Sequence, residues 1–421
     1  VILMCNMFYA QHISEFKSLS ADGQNSDFNL PVDTHTFQYI IQHEDPLDVG
    51  GTMPDDLDFS GYVPREGSSK YGYLSISSES VPGAVTILDI EFDDEKGKWF
   101  VDNSEAVEFD FNLPLEGLAS VIDENVGSTI ANCSGTVTPW NTVIVCEEIT
   151  NKDVKVRFPE IIFDYWLKVD GELNPDKPQY DGYGWAIEID PATKTVLDQI
   201  EEDNPDGDRA NQDKLWAMGN FKHENAVVHS NLRTVYQGAD DYLYNEGFLF
   251  KFVADTLEKL SSGVLYVFKE TSASTGEWIN IPNTTVEERN STLTYCHNVG
   301  ATSFDGIEDV EINPIDGTIH FAVKGDGKVY KFTDSDPIDG TIVSNFETYV
   351  GGMSYEIEPG LVEPWGTGND NLVFDDLGNL WVAQDGGDNY IWVVENGHTQ
   401  ANPKVKIFAR TPVGSEPTGL T

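Results

Sequence analysis

The sequence predicts an all-β protein: a β-propeller of about six blades with irregular loop insertions. Three observations lead there. First, the chain reads as short β-forming runs separated by Gly, Asp and Asn, residues that accept the positive φ of tight hairpin turns. Second, the runs come in groups. VEINPIDGTIHFAVKGDGKVYKF from Val310 and LVFDDLGNLWVAQDGGDNYIWVV from Leu372 share one order of strand, Asp-Gly or Gly-Asn turn, strand, Gly-rich turn, strand. Shorter versions begin at Val85 and Trp185. Recurrence at roughly 40 to 60 residues fits propeller blades better than a two-sheet sandwich. Third, helix signals are few; DTLEKLS at Asp255–Ser261 predicts one short helix.

In chain order, residues 1–34 read as an N-terminal apolar or extended segment and residues 35–421 as one propeller domain. The opening VILMCNMFYA lacks a basic flank and a cleavage site, so it reads as an ordered strand or an anchor through which the protein self-assembles. Two stretches rich in Pro, Asp and Gly, Asn151–Asp181 and Asn204–Trp216, read as insertions decorating one face. No run of 18 apolar residues is present, so no membrane-spanning helix is expected.

The 421 residues carry 72 acidic side chains against 25 basic ones, a net charge of −47. That balance opposes binding to nucleic acid or to an anionic membrane through a basic face, and suits solubility in salt or the binding of cations. Hydrophobic residues at 39% and aromatics at 11% are enough for a sizeable core. Cys5, Cys133, Cys146 and Cys296 permit two disulfides that spacing cannot assign, and no CxxC pair suggests a zinc knuckle. Asn132, Asn283 and Asn290 match the glycosylation triplet, which matters only in a eukaryotic secretory setting.

The stretch GSTIANCSGTVTPWNTVIVCEE, Gly127–Glu148, joins a cysteine, a Thr-Pro-Trp turn and two glutamates across one apolar strand. Carboxylates at a strand tip hold a cation on a rigid scaffold, although a buried cysteine and a solvated acidic end fit the same residues. No G-x-S-x-G elbow, H-E-x-x-H or P-loop is present. Asp206, Asp208 and Asp213, and again Asp334, Asp336 and Asp339, are spaced like calcium loops, but neither set has the closing glutamate of an EF-hand.

The segment from Gly127 resembles the cysteine-bearing motif of the PhoX-type alkaline phosphatases, secreted β-propeller enzymes that use iron and calcium. GYLSISSES (Gly72–Ser80), NFKHENAV (from Asn220), VYQGADD (from Val235), FDGIEDVEINP (from Phe304), GNDNLVFDDLGNLWVAQDG (from Gly368) and GSEPTGLT (to Thr421) resemble the same family in the same order. The resemblance implies metal ligation by Cys133, Glu147, Glu148, Glu224, Glu308, Asp370, Asn371 and Glu416, with Cys133 the iron ligand; Asp240 and Asp241 match a motif of undecided role. It also implies further strands after Thr421. Two places depart from the family pattern. Gly306 stands where the family has an arginine that binds phosphate, with Lys222, Arg233 and Lys324 as candidate substitutes. Ser77, Ser78 and Glu79 stand where members often carry Asn-His-Glu.

The expectation is therefore a secreted, extracellular or periplasmic, calcium-dependent phosphatase acting on phosphate esters, with iron as a second metal. A non-catalytic extracellular propeller, holding structural metal ions and serving binding or assembly with an extracellular partner, is the alternative. A calcium-dependent lactonase-like hydrolase shares the architecture but not these motifs.

Overall fold

A computed structural model describes residues 12–20, 23–109, 129–157, 180–197, 214–241, 243–386 and 388–421. The expected short strands form and pair as antiparallel meanders. The first blade is β1 (Leu57–Pro64), β2 (Tyr71–Ser78), β3 (Ala84–Asp93) and β4 (Lys98–Ala106). The second is β5 (Asn132–Val137), β6 (Val143–Glu147), β7 (Ala186–Asp190) and β8 (Thr195–Val196). The third runs through β9 (His223–Val228), β10 (Thr234–Ala239), β11 (Gly247–Thr256), β12 (Lys259–Ser272) and β13 (Thr275–Ile281), with β14 (Ser303–Phe304) added against β11. The fourth is β15 (Ile307–Ile312), β16 (Ile319–Val323), β17 (Lys328–Asp334) and β18 (Ile342–Gly351); its outer strand pairs with β13 and fuses the two blades into one sheet. A hairpin, β19 (Ser354–Glu358) and β20 (Leu361–Pro364), leads to the fifth blade, β21 (Asn369–Phe374), β22 (Leu380–Gln384), β23 (Tyr390–Val394) and β24 (Val405–Arg410).

The innermost strands β1, β5, β9, β15 and β21 stand side by side around one axis. Residues 415–421 lie between β21 and β1, at the place of a sixth innermost strand: Thr418 Oγ1 donates to Leu57 O at 3.2 Å and Gly419 N donates to Asn371 Oδ1 at 2.8 Å. Strands β6, β9, β16 and β22 are covered on both faces, by adjacent blades or, for the fifth blade, partly by the N-terminal segment, so they are buried at every position instead of alternating. The core is a series of seams between blades. Phe59 and Ile87 meet Val143 and Val145; Ile144 and Ala186 meet Phe248 and Phe250; Tyr236 and Leu249 meet Ile319 and Phe321; Val329 and Ala322 meet Val382 and Trp392. Each fully buried Val, Leu, Ile or Phe contributes about 1.5–3 kcal/mol.

Residues of the N-terminal segment lie along the outer edge of the fifth blade. Leu19 N donates to Ile407 O at 2.9 Å, Asn29 bridges to Arg410, and Phe16 packs on Trp381 and Phe408. The apolar residues 1–10 lie outside the described residues, as do Cys5 and most of both insertions.

The helix expected at Asp255–Ser261 is instead the hairpin between β11 and β12, turning at Leu257 and Glu258, the latter at φ 61°. Pairing of Thr256 with Lys259 and burial of Leu260 outweigh the local helix propensity. The α-helices among the described residues are α1 (Asn151–Arg157), α2 (Val286–Asn290) and α3 (Thr292–Val299). A capping box starts α2, with Glu288 N donating to Thr285 Oγ1 at 3.2 Å and Thr285 N to Glu288 Oε2 at 3.0 Å. Cys133, Cys146 and Cys296 are buried free thiols. Asn132 and Asn283 are buried, with Nδ2 donating to Thr129 Oγ1 at 2.7 Å and to Ala217 O at 2.9 Å, so neither triplet is open to glycosylation in the folded chain.

Candidate metal centre

Every described innermost strand carries one extra residue relative to its partner. Three steps on the inner strand match two on the outer between Leu57 and Ser60, Asn132 and Gly135, His223 and Ala226, Ile307 and Val310, and Asn369 and Leu372. A β-bulge breaks the alternation of side chains, so two consecutive residues are both re-aimed. The five pairs are Asp58–Phe59, Cys133–Ser134, Glu224–Asn225, Glu308–Asp309 and Asp370–Asn371. The first members gather at one end of the axis and the second members line a cavity on the other side.

The first cavity is a cup of about 530 Å³. Asp58, Glu224, Glu308 and Asp370 come from the bulges. A second ring comes from the residue that follows the second strand of each blade: Glu79 after β2, Glu148 after β6, Asp240 after β10, Lys324 after β16 and Asp385 after β22. Asp305 and Glu416 complete a lining of ten carboxylates and one lysine. Two glycines let backbone and carboxylate come this close. A Cβ on Gly306 (φ 80°) would lie 2.4 Å from Asp240 Oδ1, and one on Gly325 would lie 2.1 Å from Asp305 Oδ2.

Three donor sets lie close enough to share an ion, their ligand atoms within 4.8 Å of one another: Glu79–Cys133–Glu224, Glu148–Glu224–Asp240 and Asp370–Asp385–Glu416. Like charges 4 Å apart repel by about 4 kcal/mol at an effective dielectric of 20. The protein offsets this with Lys324, whose Nζ lies 3.3 Å from Glu308 Oε1, 3.2 Å from Asp370 Oδ2 and 3.3 Å from Asp385 Oδ2. Nearby, Lys222 Nζ lies 3.6 Å from Asp153 Oδ1 and 3.8 Å from Asp241 Oδ2. One lining lysine cannot balance ten carboxylates, and Asp58 Oδ1 and Asp240 Oδ1 are buried without a hydrogen-bond donor. The donor set fits cations: all-oxygen groups suit calcium, and the group containing a thiol suits iron.

The acidities reflect the same excess. Burial and then the neighbouring Glu79 and Asp240 push Glu148 up to about 8. Burial, followed by Asp370 and Asp385, raises Glu416 to about 7. Asp240 rises to about 6 by burial, with Lys324 and Lys222 opposing. Burial holds Glu224 and Glu308 well above the usual carboxylate range, aided at Glu224 by Glu308 and then Glu148, and at Glu308 by Asp240 and then Asp370. Burial also opposes the charge on Lys324, but Glu308, Asp370, Glu224 and Asp385 together outweigh it and hold the amine well above its ordinary value.

Of the residues named from sequence, Glu148, Glu224, Glu308, Asp370 and Glu416 line the cup and Cys133 joins Glu79 and Glu224 at its edge. Glu147 does not reach it. Side chains alternate along β6, so Glu147 points to the opposite face, where Lys214 Nζ lies 2.7 Å from its Oε1 and the Ile130 and Trp185 amides donate to it at 3.2 Å. Asn371 lines the other cavity, donating to Ser134 Oγ at 3.0 Å. Arg233 is engaged elsewhere by Ala254 O at 2.7 Å. The acidic loop at Asp334 is neutralised by buried Lys251, 2.9 Å from Asp334 Oδ2, while Asp206, Asp208 and Asp213 lie outside the described residues. Asp58, Glu79, Asp305, Lys324 and Asp385 also line the cup without being expected as ligands; for Glu79, Lys324 and Asp385 the signal is an acid, or once a lysine, directly after the second strand of a blade, whereas Asp58 sits in a bulge and Asp305 follows β14.

Fold and site together define a β-propeller with a carboxylate-lined cup on its axis. Residues 120–421 match the family described as alkaline phosphatase PhoX, which is more than half of the chain, and the chain belongs to that family. The structure is similar to that of Pseudomonas fluorescens PhoX in complex with vanadate, a transition-state analogue, with a TM-score of 0.70 and 18% identity over 96% of this chain and 90% of that one. A gluconolactonase of Xanthomonas campestris aligns at a TM-score of 0.37 and 10% identity, covering 98% and 92% of the two chains. No individually curated protein matches this chain in sequence.

Proposed function

We propose that this chain is a metal-dependent phosphatase that hydrolyses phosphate esters, with calcium held by the cup's carboxylates and iron at the Cys133 edge. The observation that carries this reading is the convergence of ten carboxylates and one lysine on the axis in a member of an alkaline phosphatase family. Bound cations would supply charge neutralisation for the phosphoryl group and activation of its attacking nucleophile. Glu79, Cys133 and Glu224 would hold the softer ion, and Asp370, Asp385 and Glu416 a hard one. Millimolar calcium outside the cytoplasm suits such a site, which supports a secreted or periplasmic location.

Lys324 takes the part of the missing arginine in this reading. It occupies the position in the fourth blade that a carboxylate occupies in each of the other four, and it belongs to the same blade as Gly306. Cations seated among Glu308, Asp370 and Asp385 would take over the charge that Lys324 now balances, leaving its ammonium for a phosphoryl oxygen. It acts there as a point charge, without the bidentate fork of an arginine.

The test is turnover of a generic phosphomonoester by the metal-loaded chain, with and without chelator, beside Lys324→Met. The expected outcome is chelator-sensitive turnover that Lys324→Met lowers about 100- to 1000-fold while metal content stays constant. The glycine at 306 favours one second reading, a propeller that holds structural cations and binds without turnover. A chain fully loaded with metal and devoid of phosphatase activity would establish it.

A further inference from the structure

The second members of the bulge pairs build a site of their own. On the far side of the bulge layer from the cup lies a cavity of about 530 Å³ whose polar floor is Ser134, Asn225, Asp309 and Asn371, with Glu311 beside them. All four floor residues are at most 3% exposed. Their hydrogen bonds fix the side chains but do not use every polar atom. Asp309 Oδ2 accepts from Leu372 N at 2.6 Å, Asn225 Nδ2 donates to Gly135 O at 3.1 Å, and Asn371 Oδ1 accepts from Gly419 N at 2.8 Å. Asp309 Oδ1 and Asn225 Oδ1 are left buried without a donor. Glu311 Oε2 accepts from the adjacent Ile312 N at 3.1 Å.

With Asp309 ionised these orphaned atoms are acceptors only, so they cannot satisfy each other and they repel an anion; a proton on Asp309, which burial favours, competes with a cation for the same oxygen. What they lack is a donor or a cation. Two carboxylates match a divalent charge, and calcium accepts carboxylate, amide and water oxygens in one shell, whereas magnesium holds to a strict octahedron. We propose that this cavity is a second axial cation site, in which a hard divalent cation of the calcium type binds Asp309 Oδ1, Asn225 Oδ1 and the Glu311 carboxylate, with water completing its shell. The ion ties the third blade, through Asn225 on β9, to the fourth, through Asp309 and Glu311 on β15.

The experiment measures bound metal per chain by elemental analysis, and melting temperature, on the calcium-loaded full chain. The parent is compared with Asp309→Asn, Glu311→Gln and, for the cup, Glu224→Gln. The expected result is one calcium fewer per chain in Asp309→Asn and in Glu311→Gln, with a smaller calcium-dependent rise in melting temperature, while iron content stays at the parent value. In crystals of the parent, an anomalous calcium peak is expected about 2.3–2.6 Å from Asp309 Oδ1. If Asp309→Asn does not fold, Glu311→Gln carries the test, because Glu311 is only half-buried whereas Asp309 is fully buried. An unchanged calcium count in Glu311→Gln, an ordered water alone at Asp309 in millimolar calcium, or a preference for magnesium or a monovalent ion would overturn the proposal. A parent that holds one calcium, lost in Asp309→Asn but not in Glu224→Gln, would support it even if the cup held no metal.

Discussion

At the scale of single residues, Gly306 and Lys214 show how tightly the site constrains its supports. An arginine at 306 looks like the obvious repair of the missing phosphate contact. The backbone there has φ 80°, and any Cβ would sit 2.4 Å from Asp240 Oδ1. A side chain therefore meets both left-handed strain and a buried cup carboxylate. Gly306→Arg is expected to lower the melting temperature and the metal content and to leave turnover no higher than the parent; a gain in kcat at full metal content would overturn this account. Lys214 and Glu147 are 1% and 0% exposed and lie 2.7 Å apart. Removing one partner leaves an uncompensated buried charge, so Lys214→Met is expected to cost about 3–5 kcal/mol in denaturant unfolding. A loss below about 1 kcal/mol would show that Glu147 is protonated and carries no charge to pair.

At the scale of elements, the strands and hairpins were legible because their turns need particular residues and their repetition is visible. The hairpins from Val310 and Leu372 became the fourth and fifth blades. Bulges were not legible. They depend on pairing between strands, and nothing in Glu224-Asn225 alone says that both side chains leave the alternation. That is why Asn371 was grouped with Asp370, whereas Glu147 parts from Glu148 by ordinary alternation along β6. Local propensity also misled at DTLEKLS, where pairing across a two-residue turn decided the outcome, while the capping box at Thr285–Glu288 was in plain view and unread. The first blade lies outside the matched residues 120–421, yet it sends Asp58 and Glu79 into the cup. Glu79→Gln is expected to lower bound iron, because it removes one of the two carboxylates grouped with the Cys133 thiol. Iron retained at the parent level in elemental analysis would place that ion elsewhere.

At the scale of the whole molecule, the cup stores a penalty that pH and metal exchange between them. Glu148 near 8, Glu416 near 7 and Asp240 near 6 all lie above the range of about 3.9 to 4.3 they have in an unfolded chain. Between those limits the metal-free native state holds more protons than the unfolded state. The stability these three groups contribute is therefore fully present below about pH 4 and is lost as pH rises through 6 to 8. The loss is on the order of a few kcal/mol for Glu148 alone, at 1.36 kcal/mol per pKa unit. Cations compete with those protons for the same oxygens, so metal affinity rises over the same interval and the loaded protein is spared the loss. Melting curves from pH 5 to 9, with saturating calcium and with excess chelator, are expected to diverge: the chelated midpoint falls steadily above pH 6 while the loaded midpoint stays nearly level. Added sodium chloride screens the surface part of the −47 charge and is expected to raise both curves alike, leaving the gap between them in place. A gap that is constant across pH would mean that the ion does not displace protons from these carboxylates, and a gap that closes in salt would assign the effect to the acidic surface instead of the cup.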